Sequence, residues 1–166
     1  MSTDAIVLLK DDHKQILSTF KEFEEAGPNA YKTKGKLVEK MIELLTVHTY
    51  IENEVMYPQV RAALPELEDD VLESYEEHHV ADVLVMELSM MKPEDERFDA
   101  KTMVLIENVR HHIEEEEDEW FPKVREGLGR NELQRMGAEM LEAQKTAPRR
   151  PSQPSALKKT IDAVIS

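Results

Sequence analysis

The sequence predicts an all-α protein with three parts. An up-down-up-down four-helix bundle covers residues 1–128, and a short additional helix covers 129–146. A basic, proline-rich tail with a short amphipathic segment covers 147–166. Two observations carry this reading. Glycines occur only at 27, 35, 127, 129 and 137, and the long stretches between breakers are made of good helix formers. Four of those stretches also bear an apolar stripe at three- and four-residue spacing, the period of one helix face.

The first helix is expected from Asp4 to Glu25, capped by Ser2 or Thr3 and stopped by Gly27-Pro28, with the stripe Leu9, His13, Ile16, Phe20 and Phe23. The second runs from about Thr33 to Leu64 with a bend at Pro58; its stripe is Leu37, Met41, Leu44, His48, Ile51 or Glu52, and Val55. The third opens at Pro65 and ends near Met91, with Val71, Tyr75, His78, Asp82, Val85 and Leu88 in register. The fourth runs from about Pro93 to Gly127 and carries Leu105, Val109, His112, Glu116 and Trp120. Asn131 caps a fifth helix through Lys145, after which TAPRRPSQPS reads as a linker and ALKKTIDAVI as a last amphipathic turn or two.

The chain carries a formal net charge of −14, which splits into −18 over residues 1–144 and +4 from Lys145 onward. Nucleic acid and anionic membranes recruit basic surface, so neither is the expected partner. No apolar run approaches the ~20 residues of a bilayer span. The opening MSTDAIVLLKDD lacks the basic start and apolar core of a signal peptide, and a cytoplasmic location is expected. The absence of cysteine excludes disulfides, thiolate metal sites and iron–sulfur clusters. The sequence leaves the oligomeric state open.

Every stripe is interrupted by a histidine, and three by an acid as well. Positions i and i+4 share a helix face, and His48/Glu52, His78/Asp82, His111/Glu115 and His112/Glu116 all have that spacing. Height gives an independent test, because residues equidistant from a turn lie level in an up-down bundle. His13 and His48 are centred on the Gly27–Lys32 loop. The His48/Glu52 and His78/Asp82 pairs are centred on Pro65, and the His78/Asp82 and His112/Glu116 pairs on residue 97. Four helices therefore bring their polar interruptions to one level.

Buried carboxylates need cationic partners, and no lysine or arginine stands on these stripes. Metal ions meet the need. The candidates His13, His48, Glu52, His78, Asp82, His112 and Glu116 outnumber the ligands of a four-coordinate zinc. They suit two iron ions, with Glu52 and Glu116 as bridges. His79 and His111 are the alternatives to their neighbours. Of the tyrosines at 50, 57 and 75, Tyr75 is the one on an inward stripe. Glu114, Glu117 and Asp118 read as a solvated face.

These segments resemble the hemerythrin-like, or HHE cation-binding, domain family over residues 4–126. The resemblance rests on DDHKQI, HTYIENEVMYP, EHHVADVLVMEL and HIEEEEDEWFP. The second and fourth segments share the form H-x3-E-x5-P, which aligns His48 with His112 and Glu52 with Glu116 and favours His112 over His111. The resemblance implies a non-haem di-iron centre with an oxo or hydroxo bridge. In it Glu52 and Glu116 bridge, and His13, His48, His78 and His112 are terminal ligands. Asp82 stands where oxygen-carrying members have a second histidine, which argues against reversible oxygen transport. The expected ligand is a small molecule, hydrogen peroxide first (catalase-like disproportionation), otherwise O2 or NO. An iron- or oxygen-sensing or storage module without turnover is the alternative reading.

Overall fold

The computed structural model describes residues 3–151, and every element among them is helical. Helix α1 spans Ala5–Glu25 and α2 spans Tyr31–Ile51. A π-helical turn over Glu52–Met56 joins α2 to α3, Tyr57–Ala63. After a 3-10 turn at Pro65–Leu67 comes α4, Glu68–Ser89. Helix α5, Phe98–Glu115, passes through a second π turn, Glu116–Trp120, into α6, Phe121–Leu128; α7 covers Arg130–Thr146. The amphipathic segment expected in the tail lies outside the described residues.

Helix α1 packs on α2 and α4 on α5, while α7 lies across α1 and the π turn that follows α2. The all-α bundle with one added helix is therefore the fold that forms. No helix among the described residues is long and apolar enough to cross a membrane.

Three boundaries differ from expectation for local reasons. The cap of α1 is Asp4: its carboxylate accepts from Val7 N at 3.0 Å and receives both guanidinium nitrogens of Arg125 at 2.9 and 3.0 Å. Thr3 instead turns its hydroxyl to Gln134. Helix α5 begins at Phe98 because Asp95 gathers the preceding residues into turns. Its side chain accepts from Lys92 N at 2.8 Å and its carbonyl from Phe98 N at 3.0 Å. Helix α7 starts after Gly129, whose φ of 79° only glycine adopts freely, so Asn131 lies inside the helix and caps nothing. Gly137 admits α7 against the start of the chain, since a Cβ there would sit 1.4 Å from Thr3 O.

Burial holds the Asp4 carboxyl up, but the hydrogen bond from Arg125 and that from Val7 outweigh it and bring its pKa below 3.8. Asp4→Ala should cost about 1–2 kcal/mol, a typical loss for a cap. A carboxylate depressed on folding stabilises above its unfolded value and loses that contribution as pH falls through the folded one. Thermal denaturation of the two proteins should therefore differ at pH 7 and converge in acid.

The apolar core is divided in two. One cluster joins Leu9, Ile51, Tyr57, Val71 and Phe121 to Leu133 and Met136 of α7. The other joins Ile16, Phe20, Leu45, Val85, Leu105 and Val109. His13 falls between Leu9 and Ile16, and His48 between Leu45 and Ile51. His78 lies between Val71 and Val85, and His112 between Val109 and Phe121. The polar interruptions thus form one layer between two dry ones.

Candidate metal centre

The two glutamates of this layer, Glu52 and Glu116, each open a π turn. Proline explains the turns. An α-helix would have Pro58 donate to the carbonyl of Glu54, but proline has no N–H and its ring strikes that carbonyl. The backbone widens, and Tyr57 N reaches back five residues to Glu52 O. Pro122 has the same effect, with Phe121 N bonded to Glu116 O. Turns of this kind insert a residue into a helix face and recur at functional sites. The H-x3-E-x5-P spacing thus encodes a backbone device as well as two ligands.

Two groups of potential ligands result, each with its donor atoms within 4.8 Å of one another: His13, His48 and Glu116, and Glu52, His78 and His112. Both carboxylates span the groups. Glu52 Oε1 lies 3.0 Å from His48 Nε2 and 3.2 Å from His78 Nε2. Glu116 lies 3.2 Å from His13 Nε2 through Oε1 and 3.1 Å from His112 Nε2 through Oε2. All six residues are buried, and Glu52 and His13 are wholly inaccessible.

Outer partners aim the rings. Nδ1 of His13 meets Glu117 at 2.6 Å, that of His48 meets Asp12 at 3.1 Å, and that of His112 meets Glu77 at 3.1 Å. His78 Nδ1 lies 2.8 Å from the Asn53 side-chain oxygen. A carboxylate or amide oxygen only accepts, so each Nδ1 donates and each Nε2 is turned inward as a donor to metal. His13 Nε2, His48 Nε2, both Glu52 oxygens and Glu116 Oε1 are buried without a hydrogen-bond partner. Inward imidazole nitrogens facing two buried carboxylates fit cations of intermediate hardness such as iron.

Without metal the layer holds protons. Burial works against the His48 imidazolium, but the charge of Glu52 at 3.0 Å and the hydrogen-bonded Asp12 raise its pKa from 6.5 to about 10. Burial opposes His112 in the same way, and Glu116, Glu77 and Glu52 lift it well above 6.5. Burial would push Glu116 up, yet the charge of His112 and the His13 imidazole at 3.2 Å hold it well below 4.5. Tyr57 is kept protonated by burial first, then by the charges of Glu116 and Glu52.

Tyr57 is the tyrosine that reaches the centre. Its hydroxyl donates to Glu116 Oε2 at 2.9 Å and lies 3.1 Å from His78 Nε2 and 3.4 Å from His112 Nε2. Tyr75 stands behind it, edge-on at 5.3 Å, with its hydroxyl on Asn53 O at 3.3 Å. Tyr50 packs, partly buried, against the apolar cluster that contains Leu9, Ile51 and Leu133.

Six of the seven expected ligands are therefore brought together; Asp82 is not. It belongs to none of the ligand groups found among the described residues and is half-buried. The buried seam of α4 is Val71, Ser74, His78, Ala81, Val85 and Leu88, so Ala81 takes the inward place after His78 and Asp82 is rotated out of it. His111 is exposed and pairs with Glu115 at 3.1 Å, and His79 is half-buried outside the layer. Glu117, expected in a solvated face, instead holds His13.

The family model for the hemerythrin HHE cation binding domain matches residues 4–124. In the solved structures, a hemerythrin HHE cation binding domain-containing protein from Mycobacterium kansasii superposes with a TM-score of 0.71. The match covers 86% of both chains at 22% sequence identity, which establishes a shared fold. Among curated proteins, a DNA nickase from Nostoc sp. is 24% identical over 132 residues, 80% of this chain; the match spans 36% of the nickase's own length.

Proposed function

This chain belongs to the hemerythrin HHE cation-binding family, and from that premise we propose that its buried layer holds two iron ions and reacts with a small oxygen or nitrogen ligand, hydrogen peroxide before O2 or NO. The observation that carries the proposal is the reach of each carboxylate. Glu52 meets one histidine of each group, His48 and His78, and Glu116 meets His13 and His112. Single-metal sites have no use for two carboxylates each shared between two sets of imidazoles.

When bound, a pair of iron ions supplies reversible two-electron chemistry and coordination positions for a small ligand. The protein's part is positional and electrostatic. Glu117, Asp12, Asn53 and Glu77 fix the four rings. Phe121 stacks on His13 at 5.9 Å and, with Tyr57 and Trp120, forms a buried aromatic wall on one side of the layer. The Tyr57 hydroxyl holds a proton against Glu116 Oε2 and is the nearest proton source to His78 and His112. The nicking activity named for the Nostoc relative is not carried over, because a chain of net charge −14 repels a polyanion.

Metal analysis and peroxide consumption test the proposal together. The expected result is about two irons per chain and peroxide disproportionation faster than in a double control, His48→Ala with Glu52→Ala. Two irons with no turnover would leave a sensing or storage module, and zinc or a single metal per chain would overturn the di-iron reading.

A further inference from the structure

Away from the buried layer, a groove of about 620 Å³ opens at the end of the bundle where α2 begins, α4 stops and α5 starts. Its floor is the outer edge of the second apolar cluster: Val38 and Ile42 of α2, Leu88 of α4 and Phe98 of α5. Tyr31, 40% exposed, and the half-buried Met91 flank that floor. Backbone contact sets its shape. Gly35 lets Pro93 of the α4–α5 connection come down on α2, since a Cβ at 35 would sit 2.9 Å from Pro93 Cγ. The rim carries both signs, Lys32 and Lys36 with Glu39 and Glu94.

The end of the described chain leads to this groove. After α7, Ala147 is buried in the first apolar cluster, Arg149 pairs with Glu43 of α2 at 2.8 Å, and Arg150 lines the groove itself. The chain thus runs along α2 toward the start of that helix. Fifteen residues follow Pro151, the last one described. Their sequence holds Leu157, Ile161, Val164 and Ile165, at the four-, seven- and eight-residue spacing of one helix face. Lys158 falls at the edge of that face, and Lys159 and Asp162 fall opposite it.

We propose that residues 156–165 of this chain dock in the groove as a short amphipathic helix, seating Leu157, Ile161, Val164 and Ile165 on its floor. The lengths agree: the α2 wall from Tyr31 to Ile42 is about 16 Å long, and ten residues of helix span about 15 Å. So short a helix is marginal in water, and its stability comes from packing its apolar face. The five residues 151–155 are a tether that holds the segment at about millimolar effective concentration, so a weak affinity fills the groove. Charge favours the same occupant, because the +4 segment from Lys145 onward meets a body of −18. The docked segment would tie α7 to the α4–α5 connection. It needs no metal and stands apart from the di-iron reading.

The chain has no cysteine, so labels can be placed without removing native ones. Nitroxides at Lys40→Cys, outside the groove, and Asp162→Cys should give one narrow distance distribution by pulsed electron paramagnetic resonance. It should not change on dilution with unlabelled protein. Leu157→Asp with Ile161→Asp in the segment should abolish the narrow distribution, and so should Met91→Asp in the groove. Cooperative melting of each variant checks that the bundle has folded. A fluorescent peptide of residues 152–166 should bind the Leu157→Asp, Ile161→Asp chain about tenfold more tightly than the wild type, whose own segment competes. A broad distribution in the wild type, or equal peptide binding by the two chains, overturns the proposal. A narrow distribution that vanishes on dilution overturns it as well, because it places the segment on a second copy.

Discussion

Iron loading should raise the melting temperature of the folded chain by about 10 °C, and chelation should reverse the gain. A ligand that binds only the folded state stabilises it by about 4 kcal/mol at a thousandfold excess over Kd. In a chain of this size each kcal/mol moves the transition by about 2–4 °C. The effect should also depend on pH in a stated direction. In the metal-free protein His48 is raised from 6.5 to about 10. A group raised on folding stabilises fully below its unfolded pKa and loses that contribution as pH climbs through the folded one. The metal-free melting temperature should therefore fall between pH 6.5 and 10. Iron has to displace the same protons from His48 and His112, so the increment it adds should grow across that interval. Anaerobic calorimetry with and without a chelator measures both. A transition indifferent to iron at every pH would mean that the buried layer is held by its imidazolium–carboxylate pairs alone.

How the sequence anticipates this layer depends on whether a helix keeps its period. In α1, and in α5 as far as the π turn that Glu116 opens, the residues run at 3.6 per turn, and every stripe residue assigned to these helices is buried: Leu9, His13, Ile16, Phe20 and Phe23 in one, Leu105, Val109 and His112 with Glu116 and Trp120 of the following turn in the other. In α4 the seam has the 3-4-3-4 spacing of Val71, Ser74, His78, Ala81, Val85 and Leu88. A stripe drawn through the larger or more reactive neighbours, Tyr75 and Asp82, follows a plausible period on the wrong side of His78. Small residues at 74 and 81 were the available signal: they leave room for Tyr57 and for the histidine rings. The case of Tyr57 is different. Five residues at the α-helical period would place it about 140° around the axis from Glu52. Only the wider turn that Pro58 imposes brings both to one face. The proline was legible as a bend, but its effect on which residues face inward required the backbone. The outer partners Asp12, Asn53, Glu77 and Glu117 were hidden for a third reason. They touch the histidines from neighbouring positions; in a chain with 35 acidic residues nothing in the spacing of the three acids sets them apart, and Asn53 is a lone amide with no pattern of its own.

Removing either shared carboxylate should have the largest effect on the centre, and removing Asp82 almost none. Glu52→Ala and Glu116→Ala each withdraw an acceptor from both ligand groups at once, since each glutamate touches two histidines on different helices. Loss of an outer-shell partner of a metal ligand typically costs 10–100-fold in affinity, so loss of a ligand shared by two ions should exceed about 100-fold. Iron content should fall from two per chain to one or fewer, and peroxide consumption should fall with it. The metal-free fold should suffer as well, because unpairing a buried imidazolium costs about 3–5 kcal/mol. The isosteric Glu52→Gln and Glu116→Gln therefore belong beside the alanine variants, with helicity as the check that the bundle has formed. Asp82→Ala removes a carboxylate of the same charge, one helical turn from His78, that the structure leaves outside both groups. Wild-type iron content in Asp82→Ala, with depletion in the glutamine variants, would place the ligand set on two carboxylates and four imidazoles. Equal depletion in Asp82→Ala would return Asp82 to the set, and would require α4 to rotate so that the place now held by Ala81 passes to it.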